Sequence, residues 1–210
     1  IDINRDVLPP VKGRQYELGV KYLVGRRLLL TASLFDIRES NVAVYDQMVD
    51  GEALYRSSDV RHRGLELEAT GQITHRWQVK GGLALLDPKV TNDPEHPVNN
   101  GETRPWLPRV TADLYTSYDL ANGITLGGGM RYVGPVKTYD RSSTPTPDLG
   151  SYALFDASIG YMLDKWHLQL NLKNIGDKHY YVSTPIFQSL SAGLYPGEPR
   201  SFTVSLRRNF

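Results

Sequence analysis

The chain closes on Arg200-Ser-Phe-Thr-Val-Ser-Leu-Arg-Arg-Asn-Phe210. Drawn as an extended strand, this stretch puts Phe202, Val204 and Leu206 on one face and Thr203, Ser205 and Arg207 on the other, because strand side chains alternate. Phe210, the last residue, is an aromatic ring in register with the apolar face. Chain ends ordinarily fray into water, so an apolar ring there asks for an apolar neighbour. A strand of an outer-membrane barrel has one: its apolar stripe faces lipid, and a ring at its end sits at headgroup level.

The same two-faced pattern recurs upstream. Tyr16, Leu18, Val20, Tyr22 and Val24 alternate with Gln15, Glu17, Gly19 and Lys21; Leu65, Leu67 and Ala69 with Glu66, Glu68 and Thr70; Trp77, Val79, Leu83 and Leu85 with Gln78, Lys80 and Gly82. It continues through Val110, Ala112, Leu114 and Tyr118, then Ile124, Leu126, Met130 and Tyr132, then Phe155, Ala157, Ile159 and Tyr161, and Trp166, Leu168, Leu170 and Leu172. Residues 27–38 are strand-like as well, but Leu29, Phe35 and Ile37 break the alternation. No long window prefers a helical period. About nine strands of roughly ten residues result, the length a tilted strand needs to cross a bilayer.

The connections sort by length. Short ones fall at Gly25-Arg26, Thr74-His75, Leu120–Asn122 and Leu163–Lys165, and long ones at 40–59, 87–105, 134–150 and 176–199. Outer-membrane barrels alternate short periplasmic turns with long outer loops in this way. Tyr22, Trp77, Tyr118, Tyr161, Trp166 and Phe210 lie on the apolar face near a short turn or the terminus, which predicts an aromatic girdle at one interface. A soluble barrel with an apolar interior also alternates, yet gives its rings no reason to gather at one rim.

Composition excludes other classes. Twenty-four Lys and Arg against 23 Asp and Glu leave no basic footprint for nucleic acid. With no Cys there is neither a disulfide scaffold nor a thiolate metal site. The mean hydropathy of −0.38 suits a soluble protein, but alternation hides the apolar half of a membrane barrel from such averages. No apolar run approaches the ~18 residues of a membrane helix.

Several stretches resemble strands of TonB-dependent siderophore receptors: Arg63-Gly-Leu-Glu-Leu-Glu-Ala69, Pro108–Tyr118, Gly123–Gly134, Tyr152-Ala-Leu-Phe-Asp156, Leu170–Tyr181, and Gly197-Glu-Pro-Arg200 with the closing strand. They occur in order over nearly the whole chain. The resemblance implies an all-β, antiparallel transmembrane β-barrel segment, about nine strands of a 22-stranded barrel with a plugged lumen. Residues 1–210 would be the carboxy-terminal portion of that barrel, with the plug domain absent. It further implies a receptor of the bacterial outer membrane for ferric siderophore, contacting TonB through the missing plug, and a closing strand ending at Phe210 that the barrel-assembly machinery reads. Iron would arrive already chelated, so no cofactor or protein metal ligand is expected. A passive porin or adhesin-type barrel, and a receptor for another cargo such as cobalamin, stay open as alternatives.

The polar residues invite, and mostly fail, catalytic readings. Glu66 and Glu68 share a strand face with Lys80 nearby, which fits a charge ladder on a wet lumen better than a paired-carboxylate site. Gly127-Gly-Gly129 precedes no helix and so is not a phosphate loop. The five histidines show no His-x-x-x-His spacing. Asn171, Asn174 and Asp177 with Tyr180-Tyr181 suit a strand-to-loop transition. Rings and cations near the long connections are the better candidates: Tyr45, Tyr55, Trp106, Tyr139, Phe187 and Tyr195 with Arg104, Arg131 and Arg141. Such groups could line an outer vestibule for a bulky chelate. Trp106, Tyr139, Tyr195 and Arg131 are the ligand-binding residues expected from this set.

Overall fold

The computed structural model describes residues 1–2, 4–138, 147–183 and 194–209. One antiparallel sheet of nine strands dominates it. In chain order its strands are β1 (Lys12–Val24), β2 (Leu28–Val49), β3 (Glu52–Gln72), β4 (Trp77–Asn92), β5 (Val110–Asp119), β6 (Ile124–Val133), β7 (Tyr152–Leu163) and β8 (Trp166–Lys173). β9 (Tyr181–Ser183) and β10 (Leu194–Pro196) pair separately, and β11 (Ser201–Arg208) returns to β8. Among the described residues every sheet neighbour but this last is also the next strand in sequence, as an up-and-down barrel wall requires.

The register turns the alternation of each strand into one continuous face. Leu18, Leu34, Leu65 and Leu85 lie in a single row across β1–β4. Leu114 is opposite Met130, and Met130 is opposite Phe155. Ile159, Leu170 and Val204 form another row. Leu18, Phe202, Val204 and Leu206 are between 59% and 76% exposed, so this apolar face covers no protein core. The opposite face carries Glu17, Glu66, Glu68, Lys80, Asp113, Arg131, Gln169, Asn171 and Thr203. An apolar face of this extent, far beyond what a soluble monomer leaves uncovered, fits lipid outside and a wet lumen inside.

Trp77 stands directly opposite Tyr118 near the short turns. Its indole Nε1 donates to Thr116 Oγ1 at 2.7 Å, which satisfies the polar end of a ring in an apolar belt. Arg208 lies over the Trp166 ring at 5.4 Å from the centroid. The girdle therefore forms along this rim, with Phe210 outside the described residues.

Residues 40–59 are not a long loop. β2 runs on to Val49 and β3 begins at Glu52, joined through Asp50 (φ 51°) and Gly51 (φ 80°). Two left-handed residues make the tight hairpin turn that Asp-Gly favours. The hairpin carries β2 and β3 well past the apolar band. Register shifts at Glu39/Val42 and Tyr45/Gln47 interrupt its alternation, because each bulge adds a residue to one strand only. Likewise β4 extends to Asn92, which shortens the connection expected at 87–105.

The irregular run at 27–38 also has a physical basis. Leu29, Phe35 and Ile37 point to the lumen side, opposite Thr70, Gly64 and His62. A Cβ added at Gly64 would sit 2.7 Å from the Leu85 carbonyl oxygen and overlap the Phe35 ring. Phe35 thus packs over a position that only glycine leaves free. Tyr115 similarly lies across Gly127, its hydroxyl 3.3 Å from Ser158 Oγ, so the glycine run accommodates a lumen-side ring.

Candidate ligand vestibule

At the long-loop end, the lumen side of the β2–β3 hairpin is closed by the segment following β4. Arg56, 2% exposed, is the centre of this layer. Its Nε donates to both Asp93 carboxylate oxygens at 3.2 and 3.1 Å, and its Nη1 donates to the Tyr45 carbonyl at 2.9 Å and to Asp46 Oδ1 at 3.3 Å. Asp93 also accepts from Asn99 Nδ2 at 2.9 Å and from the His96 backbone N–H at 3.2 Å. His96 Nε2 meets Asp46 Oδ1 at 2.8 Å. Leu54, Val60 and Val90 are buried beside this network. A charge pair this deep persists only when fully hydrogen-bonded, and here it fixes residues 93–100 to the hairpin. Burial, and next the charge of Asp46, push the nearby Glu95 carboxyl above its ordinary value.

Closer to the apolar band, Arg104 Nη1 donates to His62 Nε2 at 3.0 Å and lies 3.7 Å from Glu39 Oε2. Nε2 then accepts, so the imidazole is neutral with its proton on Nδ1. Burial lowers the His62 pKa and the Arg104 charge lowers it further, against an opposing pull from Glu39. Arg104, one of the expected vestibule cations, is thereby committed to holding the wall.

The expected ligand residues occupy different parts of this end. Trp106 is half-buried, with φ at 68°, and its backbone N–H donates to the Lys137 carbonyl at 2.8 Å. That bond ties the segment before β5 to the continuation of β6. Arg131 lies on the lumen face of β6, opposite Asp113 and Leu154. It is exposed and makes no ion pair among the described residues. Burial raises the Tyr152 phenol pKa, with the Arg131 charge opposing it, and Tyr152 packs on Tyr180 with ring centroids 4.4 Å apart. Tyr180 in turn leaves no room for a Cβ at Gly197. Tyr195, on β10 opposite Val182, is 47% exposed. Among the described residues no hydrogen bond or ring contact joins Trp106, Arg131 and Tyr195 directly. Tyr139, Phe187 and Arg141 lie outside the described residues. Tyr45 and Tyr55 are cross-strand partners in edge-to-face contact at 6.2 Å.

The Asn174 region is a latch. Asn174, 4% exposed with φ at 49°, donates from Nδ2 to the Lys178 and Glu198 carbonyls at 3.0 and 3.2 Å and accepts from Lys178 N–H at 2.8 Å. Asp177 Oδ1 accepts from the Arg200 N–H at 3.1 Å. Both ends of the last long connection are thereby held together. Among the described residues no cluster of three His, Asp or Glu side chains is placed to hold a metal ion. The arrangement offers rings, the exposed charge of Arg131 and rigid walls, the materials of a binding site.

The family model described as TonB dependent receptor-like, beta-barrel, matches residues 2–175. Over 98% of its length the chain is 35% identical to the ferrioxamine B receptor of Salmonella typhimurium strain LT2, of which it covers 29%. It is similar to the closed-form crystal structure of the ferric-catecholate import receptor Fiu from Escherichia coli K12, with a TM-score of 0.80 and 30% identity over 99% of this chain and 29% of that one. For the Pseudomonas aeruginosa ferripyoverdine receptor bound to ferripyoverdine the TM-score is 0.77, at 28% identity over 100% of this chain and 28% of that one. The chain therefore spans less than a third of the proteins it matches. A two-faced, sequentially wound wall and a family match across most of its length lead to one assignment: the chain belongs to the TonB-dependent receptor β-barrel family.

Proposed function

We propose that residues 1–210 form the carboxy-terminal part of a receptor barrel that takes up ferric siderophore across the bacterial outer membrane, energised through TonB. The observation that carries this is the unbroken apolar face over nine strands, backed by a polar lumen face and capped by braced outer hairpins. The siderophore receptors among its relatives support the cargo class. β1 and β11 each have one unpaired side in the sheet; an open edge is not tolerated in lipid, so further strands complete the barrel. The work of such a receptor is binding and translocation rather than covalent chemistry. Contact with TonB runs through a plug domain, and β11 with Phe210 carries the assembly signal.

Trp106, Tyr139, Tyr195 and Arg131 are the proposed ligand contacts. Supporting this are the exposure of Tyr195 and the free charge of Arg131 on the lumen face. The test is calorimetric titration of the full-length protein with ferric ferrioxamine B and with a ferric catecholate. Saturable binding of one chelate is expected. Trp106→Ala, Tyr139→Ala and Tyr195→Ala should each weaken it about tenfold, as interface anchors do. Arg131→Ala should lose less as salt rises if the chelate is anionic. Binding of cobalamin instead would change the cargo, and passive conductance without chelate binding would make the barrel a porin.

A further inference from the structure

The apolar face does not end in neutral residues at its outer margin. Two register positions beyond the Leu18–Leu34–Leu65–Leu85 row, the same face carries Arg14, Arg38, Arg61 and Lys89, each opposite the next across β1–β4. Between the two rows lies Tyr16–Asp36–Arg63–Asp87. With strands ~4.8 Å apart and a rise of ~3.3 Å per residue, the four cations span ~14 Å and stand ~13 Å along the strands from the last apolar row. Like charges directly opposite one another destabilise a sheet unless an anion lies between them.

The protein supplies only part of that anion. Asp36 accepts from Arg61 Nε at 3.0 Å, Arg63 Nε at 3.1 Å and Arg38 Nε at 3.4 Å. Asp87 faces Arg109 at 3.4 Å. Arg14 rests over the Tyr16 ring at 4.8 Å, and Lys89 makes no ion pair among the described residues. Six cations thus stand against two carboxylates: Arg38, Arg61 and Arg63 share Asp36, and Arg109 takes Asp87. Arg38 and Arg63 keep 59% and 56% of their side-chain surface exposed. A cleft of about 290 Å³ opens on this face among Arg61, Arg63, Asp87 and Lys89.

We infer that this row is a binding site for the phosphate groups of an anionic lipid headgroup in the outer leaflet. Position selects the lipid. The row is on the face opposite Arg131 and the lumen, one row of mixed charge beyond the apolar band, at the level where headgroups follow the acyl chains. Guanidinium groups held by Asp36 in fixed geometry suit phosphate oxygens, which accept paired N–H bonds. The inference rests on the apolar face being the lipid face and is independent of the siderophore.

The test uses full-length protein in nanodiscs of phosphatidylcholine, with or without lipid A, a phosphorylated glycolipid. Lipid retention is read by native mass spectrometry and titration. Wild type should bind lipid A in preference to phosphatidylcholine. Arg38→Gln/Arg63→Gln/Lys89→Gln, which spares the half-buried Arg61–Asp36 pair, should weaken lipid A roughly a hundredfold from the loss of three surface charges. Lys21→Gln/Lys80→Gln/Lys173→Gln removes the same charge from the lumen face and should leave lipid A binding within about threefold, the usual scatter of surface changes. If the glutamine triple does not insert, Lys89→Gln alone and Arg38→Lys/Arg63→Lys decide: the first should weaken lipid A and the second largely retain it. No preference for lipid A in wild type, an equal loss in the lumen triple, or displacement of lipid A by inorganic phosphate at matched phosphate concentration would each overturn the inference. Siderophore titration of the same variants stays unchanged whichever result is found, and oxygen accessibility of the apolar face reports separately on membrane placement.

Discussion

Replacing Arg56 with Ala tests whether the outer wall is held by its buried charge network. The guanidinium, 2% exposed, satisfies Asp93 through two oxygens and reaches Asp46 and the Tyr45 carbonyl. Truncation leaves Asp93 buried without its cation, a loss of about 3–5 kcal/mol for a broken buried pair. Asp93 keeps donors from Asn99 and His96, and Asp46 keeps His96. The lower end, about 3 kcal/mol, is therefore expected, which raises local opening roughly a hundredfold. Hydrogen exchange of the full-length protein should show this at residues 42–58 and 93–101, with β5–β8 unaffected. Because the pair costs desolvation as well as supplying attraction, Arg56→Met/Asp93→Leu should recover much of the loss. Unchanged exchange in 42–58 for Arg56→Ala would show that the hairpin stands without the network.

Two further outcomes follow from the same structure. Burial and Arg104 hold the His62 pKa below its ordinary 6.5, so the unfolded segment binds more protons as pH falls below that value. The contribution is fully present above 6.5 and is lost as pH falls through the folded pKa. Exchange at residues 60–64, corrected for intrinsic rates, should rise as pH falls below 6.5; an equal rise in His62→Gln would assign the effect elsewhere. Glu95, raised by burial, acts in the opposite sense, its contribution falling as pH rises above 4.5, so His62 dominates near neutrality. Deleting Phe210 should lower the heat-resistant outer-membrane population while the inserted fraction binds ligand normally; intact folded yield with collapsed affinity would move Phe210 from assembly to recognition.

Alternation made the faces legible: Leu168, Leu170 and Leu172 against Gln169 and Asn171 needs only period two. The short turns and the rings beside them followed from local chemistry. Residues 40–59 hide their strands because two bulges break the period there, although Asp50-Gly51 carries a hairpin signal. Phe35 read as an error of alternation until Gly64 stood opposite it. The cation row was hidden for a deeper reason. Arg14, Arg38, Arg61 and Lys89 are separated by more than twenty residues at each step, and only register brings them level. The Arg56–Asp93 network is hidden in the same way, since neither residue marks its partner in sequence. For Trp106, Arg131 and Tyr195 the sequence offers only residue type and proximity to long connections, which place a residue at one end of a barrel without specifying what it touches.

Spin labels introduced singly at 168 to 172 in the full-length protein in lipid test the two-faced wall most directly. Collision with oxygen should dominate at 168, 170 and 172, whose residues share a face with Phe202, Val204 and Leu206. Collision with a water-soluble nickel reagent should dominate at 169 and 171, opposite Ser205 and Thr203. The reverse alternation would put the apolar face inside a soluble barrel and contradict the membrane wall on which the receptor reading stands.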